Sequence, residues 1–273
     1  MEPASEHIGI MHNLAKSGGT IIARCLGAMR KIWLFSEIHP RGQALYEKIY
    51  GSEFSMKYNL HTQAQYFYDL NSPDLLLSQT NTFSDVVKAL VVSATNVKRT
   101  VVIRNWAHID FLGQPFTVPS GKNELVEAID GHIKCKHLGI LRHPVDQWLS
   151  MSTREVFEDV ITLNSYLQGY RRFLEQPMIN EWILYEDFVT DPNQVLQTAA
   201  RSLGVAFDPE WTCNWQDNWR ITGDKNVTGP HVPQIIKSQR PPMEEGLMDQ
   251  FMESQDYQMI LKKTGYPHPE TTS

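Results

Sequence analysis

With 273 residues, the chain is long enough to bury a substantial core, as one large domain or two small ones. Its 41% hydrophobic and 21% charged residues are those of an ordinary globular protein and exclude a disordered or low-complexity chain. A net charge of −6 argues against a general nucleic-acid or membrane-surface binder, while leaving room for a local basic site for a small anion.

In chain order, strand-like apolar runs alternate with helix-like segments. HIGIMHNL (7–14) reads as a strand, followed by a helix over 20–30, and KIWLFSEI (31–38) as a second strand. Helical pieces fill 59–95, TVVIRNW (100–106) is the third strand, and 121–131 is a short helix. IKCKHLGILR (133–142) is the fourth strand, a helical stretch runs over 144–175, and NEWILYEDF (180–188) is the fifth strand. Asp191 and Pro192 cap a helix over 192–203 that Gly204 closes. Beyond 205 lies a long loop containing NWQDNWRITGDKNVTGPHVPQ, then one amphipathic helix over 242–264 and a frayed tail. Alternating strands and helices, with the strands apolar throughout, predict a single α/β domain over 1–273. Its central sheet is mostly parallel and flanked by helices; a P-loop nucleotide-binding type is implied only with the loop over 14–26 and the resemblance it carries.

Cys25, Cys135 and Cys213 form no C-x-x-C pair, which fits reduced thiols rather than a disulfide framework. The start, MEPASEHIG, has no basic and apolar leader, and no apolar run approaches the roughly 18 residues that span a bilayer. The expectation is a cytoplasmic protein without a membrane span; Asn226-Val-Thr, an acceptor pattern for glycosylation, is then idle. Oligomeric state is not legible.

The stretch LAKSGGTIIARCL (14–26) carries the first chemistry. A strand–loop–helix unit presents backbone N–H groups and a helix N-terminus to an anion. Gly18 and Gly19 allow close backbone approach, Ser17 and Thr20 add hydroxyls, and Lys16 adds a mobile positive charge. The ATP-binding spelling G-x-x-x-x-G-K-[ST] is absent, with Ile10 and Ala15 where its glycines would stand.

AKSGGT (15–20) resembles the 5′-phosphosulfate loop of sulfotransferases that use 3′-phosphoadenosine 5′-phosphosulfate (PAPS), spelled P-[KR]-S-G-[TS]-[TS]. ILRHPVDQWLSM (140–151) resembles that family's 3′-phosphate segment, R-[ND]-P-x-[DE]-x-x-x-S, with Arg142, Pro144, Asp146 and Ser150 in step and His143 in place of the common Asn. Arg142 leaves a strand end and Ser150 sits two turns into the next helix, so both can converge on one phosphate over 142–150. ILYEDF (183–188) resembles the Y-E-D strand end whose Tyr, here Tyr185, lies by the adenine. RITGDKNVTG (220–229) resembles the late loop R-K-G-x-x-G-D-x-x-N that covers the nucleotide, placing Arg220, Gly223, Asp224, Lys225 and Asn226 in a covering loop over 219–230. Where the cytosolic members put a Trp to stack on adenine this chain has Ile21, leaving Trp33, Trp148 or Trp219 as candidates.

The resemblance implies sulfuryl transfer from PAPS to a hydroxyl or amine of a small-molecule or carbohydrate acceptor, with adenosine 3′,5′-bisphosphate as product. Lys16 would stabilise the leaving oxygen, and no metal is expected, since no convincing cluster of His, Cys and carboxylate ligands is legible. Two residues are candidates for the base. Glu37 closes the second strand, as in the tyrosylprotein and several bacterial members, and His108 follows the third strand near the place of the cytosolic members' histidine. Arg104 is expected to hold the sulfonate or the acceptor. Segments 40–95, 107–125 and the helices after 155 are expected to line the acceptor pocket; the aromatics of YNLHTQAQYFYDL fit either that pocket or the core. A P-loop kinase and a non-catalytic nucleotide-binding protein are the alternatives, the first disfavoured by the missing glycine before Lys16 and the lack of a clear strand-end Asp for a metal.

Overall fold

The computed structural model describes residues 7–70, 82–129, 131, 133–157, 160–218, 220–223, 235, 240 and 243–269. The five apolar runs become the strands β1 (His7–Asn13), β2 (Ile32–Ile38), β3 (Thr100–Asn105), β4 (Lys134–Leu141) and β5 (Trp182–Leu184). They form one sheet in the order β2-β3-β1-β4-β5, and every pair is parallel. Parallel neighbours require crossovers over a sheet face, so both faces are covered and the strands are apolar on both sides.

On one face, Ile8, Ile10, Phe35 and Ile103 pack beneath α3 (Leu60–Tyr68) and α4 (Phe83–Asn96). On the other, Met11, Leu34, Val102 and Leu138 meet α1 (Gly19–Gly27) and α10 (Pro192–Leu203). Between these in the chain lie α2 (Gly42–Tyr50), α5 (His108–Phe111), α6 (Glu124–Ala128), α7 (Pro144–Ser152), α8 (Leu163–Leu174) and α9 (Tyr185–Thr190). A third core gathers Leu14 and Leu141, at the strand ends, with α5, α7, α8 and the C-terminal α11 (Leu247–Glu253) and α12 (Gln255–Thr264).

Because the sheet is wholly parallel, all strands end at one edge. The register sets Asn13 beside Ile140, His12 beside Asn105, and Ile38 beside Asn105, so the loops that follow β1 to β5 emerge together. The chain leaves β3 on one side of β1 and re-enters the sheet as β4 on the other. That reversal opens a crevice above β1, where such folds bind ligands.

Four expected elements differ. The stretch 144–175 divides into α7 and α8, because Thr162 caps a new helix with a reciprocal Thr162–Ser165 box. The C-terminal stretch 242–264 divides at Ser254, whose side chain accepts from the Tyr257 N–H and starts α12. The fifth strand is only three residues long, since Tyr185 already opens α9, with Glu186 and Asp187 in its first turn. The expected helix over 121–131 shortens to α6, and the loop after 205 is described only in part.

Candidate functional site

The loop after β1 turns through two left-handed residues, Lys16 at φ 62° and Gly18 at φ 84°. Gly18 caps α1 and brings no side chain to its first turn, so no cap side chain covers those N–H groups. Glycine is required there twice over: besides the positive φ, a Cβ would lie 2.1 Å from the Tyr185 ring. A Cβ on Gly19 would lie 2.4 Å from Asn13 Cγ, so the loop backbone rests on that side chain. Ser17 is buried, and its hydroxyl donates to the Leu14 oxygen at 2.8 Å, which shapes the loop.

A cavity of about 600 Å³ opens over the carboxyl edge of the sheet. The nucleotide candidates Lys16, Gly18, Gly19, Thr20 and Ile21 line it, together with Arg142, Ser150, Tyr185 and Gly223. The structure thus brings three of the four sequence motifs, and the start of the fourth, to one space. Arg142 Nη1 donates to the Lys16 oxygen at 3.1 Å, and the guanidinium stands 5.2 Å over the Tyr185 ring. His143, in the place of the common Asn, caps α7: its Nδ1 accepts from the Val145 N–H at 3.2 Å and its own N–H donates to Glu186 at 2.8 Å. Gln147, unremarked in the sequence, donates from Nε2 to the Ala15 oxygen at 2.5 Å. The phosphate loop and the Arg142–Ser150 segment are therefore joined by two direct hydrogen bonds.

Glu37, Arg104 and His108 line the same cavity. Glu37 occupies an irregularity in β2 between Phe35 and Ile38 and takes φ 55°, an uncommon conformation for a residue with a Cβ. Its Oε1 lies 3.4 Å from Arg104 Nη2, with both side chains largely covered. The Tyr58 phenol lies beside this pair; burial first, and then the Glu37 charge, push its ionisation well above the ordinary range.

His108 is fully inside. Its Nε2 donates to the Gln114 oxygen at 2.6 Å, and Nδ1 has no hydrogen-bond partner among the described residues. Burial lowers its pKa to about 4, the Gln114 bond opposing weakly, so the ring is neutral and Nδ1 is its acceptor.

Aromatic rings wall this part of the cavity. Tyr46 stacks on Tyr58 at 4.5 Å, Tyr58 on Trp106 at 4.6 Å, and Trp106 meets Phe116 edge-on at 4.9 Å. Phe157 faces His108 at 5.3 Å. Apart from Trp106, which ends the third-strand run, these rings come from segments expected to line an acceptor pocket, although no spacing singled them out. Of YNLHTQAQYFYDL, Tyr58 lines the cavity, whereas Tyr68 belongs to the core, its hydroxyl bonded to Leu34.

Two adenine-stacking candidates are placed elsewhere: Trp33 is buried against Tyr68, and Trp148 packs on Tyr166 in the third core. Trp219, Asp224, Lys225 and Asn226 lie outside the described residues. Arg220 has its guanidinium 5.3 Å over the Tyr68 ring and is not among the residues that line the cavity. Among the described residues one trio has metal-ligand spacing, His39, Asp110 and Glu124. It does not line the cavity, and its atoms are already engaged: His39 Nε2 donates to Asp110 at 3.0 Å, and Arg41 clasps Glu124 at 2.7 and 2.6 Å. No helix among the described residues is long and apolar enough to cross a membrane.

No family model and no curated protein matches the chain in sequence. Among solved structures, the sulfotransferase domain of a Synechococcus olefin synthase superposes with a TM-score of 0.59 at 15% identity, over 98% of this chain and 99% of that one. The sulfotransferase domain from the curacin biosynthetic pathway superposes with a TM-score of 0.55 at 16% identity, over 96% and 99%. Over its whole length, the chain has the fold of these sulfotransferase domains.

Proposed function

We propose that the protein is a PAPS-dependent sulfotransferase acting on a hydroxyl or amine of a small-molecule or carbohydrate acceptor. The observation that carries this reading is the division of one cavity between two chemistries. One group of lining residues is the loop with Arg142 and Ser150, where Arg142 stands over Tyr185 and donates to the Lys16 oxygen; the other is Glu37 beside Tyr58, and His108 beside Phe116 and Phe157, among stacked aromatic rings. The nucleotide carries two phosphate-bearing ends, and Lys16 and Arg142, whose loops meet where Arg142 Nη1 donates to the Lys16 oxygen, are the cations proposed for them.

In the proposed step, the acceptor oxygen forms a bond to sulfur as the bridging S–O bond breaks in line. Its proton passes to Glu37, and the electron pair of the broken bond stays on the 5′-phosphate beside Lys16. The products are the sulfate ester and adenosine 3′,5′-bisphosphate, and charge is conserved without a metal in the step. Glu37 is favoured as base over His108 because His108 has Nε2 bonded to Gln114 and Nδ1 buried, whereas Glu37 has an oxygen beyond its Arg104 contact.

Calorimetry with adenosine 3′,5′-bisphosphate, ATP–Mg²⁺ and AMP tests the nucleotide. Tight binding of the bisphosphate with weak AMP is expected, whereas tight ATP–Mg²⁺ with a silent bisphosphate would sink the reading. A screen of acceptor classes with labelled PAPS then identifies the acceptor.

A further inference from the structure

We infer that Arg104 is a positioning residue that ties the nucleotide-covering loop to Glu37, rather than a ligand for the transferred group. The inference rests on the sulfotransferase reading above. Its basis is the hydrogen bonding of the guanidinium. Nε donates to Asn13 Oδ1 at 3.1 Å, Nη1 to Ser36 Oγ and to the Thr222 oxygen at 3.0 Å each, and Nη2 to Glu37 Oε1 at 3.4 Å. That engages one N–H of Nε, two of Nη1 and one of Nη2, four of the five that an arginine owns. A single N–H remains, which is too few for the bidentate grip that makes arginine suited to a sulfonate.

The four partners belong to different parts of the site. Asn13 lies under Gly19 of the phosphate loop, so Arg104 supports that loop from below. Thr222 lies in the described part of the covering loop, and its hydroxyl donates to the Ser36 oxygen at 3.0 Å. The next residue, Gly223, comes so near Thr20 that a Cβ there would lie 2.4 Å from Thr20 Oγ1. Ser36 and Glu37 are adjacent in β2 and would ordinarily point to opposite faces of the sheet. The left-handed turn at Glu37 lets both reach one guanidinium, which gives that backbone conformation a purpose. One buried cation therefore holds the floor of the phosphate loop, the entry to the covering loop and one carboxylate oxygen of Glu37, leaving Oε2 for the acceptor.

The arrangement has a distinctive signature. Glu37 is faced by Arg104 from β3 and by the Tyr58 phenol, with Lys16 and Arg142 also lining the cavity. Removing Arg104 takes away the positive charge that touches Glu37 and, separately, the clamp on Thr222. The two losses can be measured without knowing the acceptor.

The experiment uses the full chain, calorimetry with adenosine 3′,5′-bisphosphate and with PAPS, and NMR of ¹³C-labelled glutamate, the Glu37 signal being assigned by its disappearance in Glu37→Gln. In Arg104→Gln, affinity for both nucleotides should fall by the same factor, about 3- to 10-fold for one lost loop contact, and the Glu37 carboxyl should titrate at higher pH than in the wild type. Arg104→Lys should return that titration towards the wild type by restoring charge, yet leave the affinity loss, because an ammonium cannot span four partners. Thr222→Val should lower affinity for both nucleotides while leaving the Glu37 titration in place. Should Arg104→Gln fail to fold, Arg104→Lys and Thr222→Val carry the test. A loss confined to PAPS, with the bisphosphate unaffected, would show that Arg104 grips the sulfuryl group and overturn the inference. So would a Glu37 titration that does not move in Arg104→Gln, or, if only the lysine variant folds, unchanged affinity in both Arg104→Lys and Thr222→Val. A wild-type protein that does not bind the bisphosphate at all would instead refute the sulfotransferase reading.

Discussion

Arg142 and Lys16 are joined directly: the guanidinium of the first donates to the main-chain oxygen of the second at 3.1 Å, across 126 residues of chain. The contact links the two anion-binding elements, so Arg142 has two duties. One N–H donates to the loop at its left-handed Lys16, and the side chain also lines the cavity. Arg142→Ala should therefore weaken adenosine 3′,5′-bisphosphate by about 1.5–3 kcal/mol and also, by a smaller amount, adenosine 5′-phosphosulfate, which lacks the 3′-phosphate. Ser150→Ala, which leaves the loop untouched, should weaken only the bisphosphate. Calorimetry with the two nucleotides checks both, and equal losses for both nucleotides in Ser150→Ala would remove the 3′-phosphate from its assignment.

Gly18→Ala tests the loop geometry from the other side. The substitution asks an alanine to hold φ 84° and forces its Cβ into the Tyr185 ring. The left-handed conformation alone costs about 1–2 kcal/mol, and the ring must move from beside Arg142 as well. Nucleotide affinity should fall at least 10-fold while the thermal midpoint drops by only a few degrees, since the strain sits at an edge of the fold. Adding Tyr185→Ala should recover part of the stability and little of the affinity, because Arg142 then loses the ring it stands over. Unchanged affinity in Gly18→Ala would show that the loop does not bind in this conformation.

The legible parts of the site are those in which a ligand is held by consecutive residues. A phosphate loop needs its glycines, lysine and helix start in sequence, and the Arg142–Ser150 pair needs a fixed strand-to-helix spacing, so both appear as motifs. The parallel sheet is legible for the same reason: burial on two faces imposes continuous apolar runs. The acceptor wall is assembled differently. Tyr46, Tyr58, Trp106, Phe116 and Phe157 come from four separate segments, and ring stacking imposes no spacing along the chain. Arg104 shows the same limit. From the sequence it is a cation at a strand end; its partners Asn13, Ser36 and Thr222 are set only when β1, β2 and β3 align. The overlong helices arise because apolar periodicity continues across Thr162 and Ser254, where caps restart the chain.

Buried histidines give the fold a pH dependence with a defined sign. Burial lowers the pKa of His108 to about 4 and that of His12 well below the ordinary value, with the neighbouring His137 adding to the effect on His12. In the unfolded chain both return to about 6.5. Between these values the unfolded state binds more protons, so stability rises with pH. The contribution is fully present above about pH 6.5 and is lost as pH falls towards 4. For His108 alone the interval corresponds to about 3 kcal/mol. Urea unfolding followed from pH 7.5 to 4.5 should show the decline, and His108→Gln, which can still donate to the Gln114 oxygen, should flatten it by up to one proton. A profile indifferent to pH over that range would mean that these rings are not neutral inside the fold.

The last prediction separates the two candidate bases, with the acceptor identified by the PAPS screen. Glu37 reaches the cavity from a strained strand end and has one oxygen beyond the Arg104 contact, whereas His108 has a buried Nδ1 and a depressed pKa. Glu37→Gln retains shape and hydrogen bonding but accepts no proton, so kcat should fall about 10²–10⁴-fold with bisphosphate affinity unchanged. The acidic limb of its pH–rate profile should disappear as well. His108→Gln should keep kcat within about 10-fold of the wild type, since loss of a neutral acceptor disturbs acceptor placement rather than proton transfer. Lys16→Ala should depress kcat through a different route, the loss of charge beside the departing phosphate oxygen, and should leave the acidic limb in place. A near-normal Glu37→Gln beside an inactive His108→Gln would move the proton transfer to His108 Nδ1. Were both variants active with an unaltered profile, the acceptor would be acidic enough to react without a protein base.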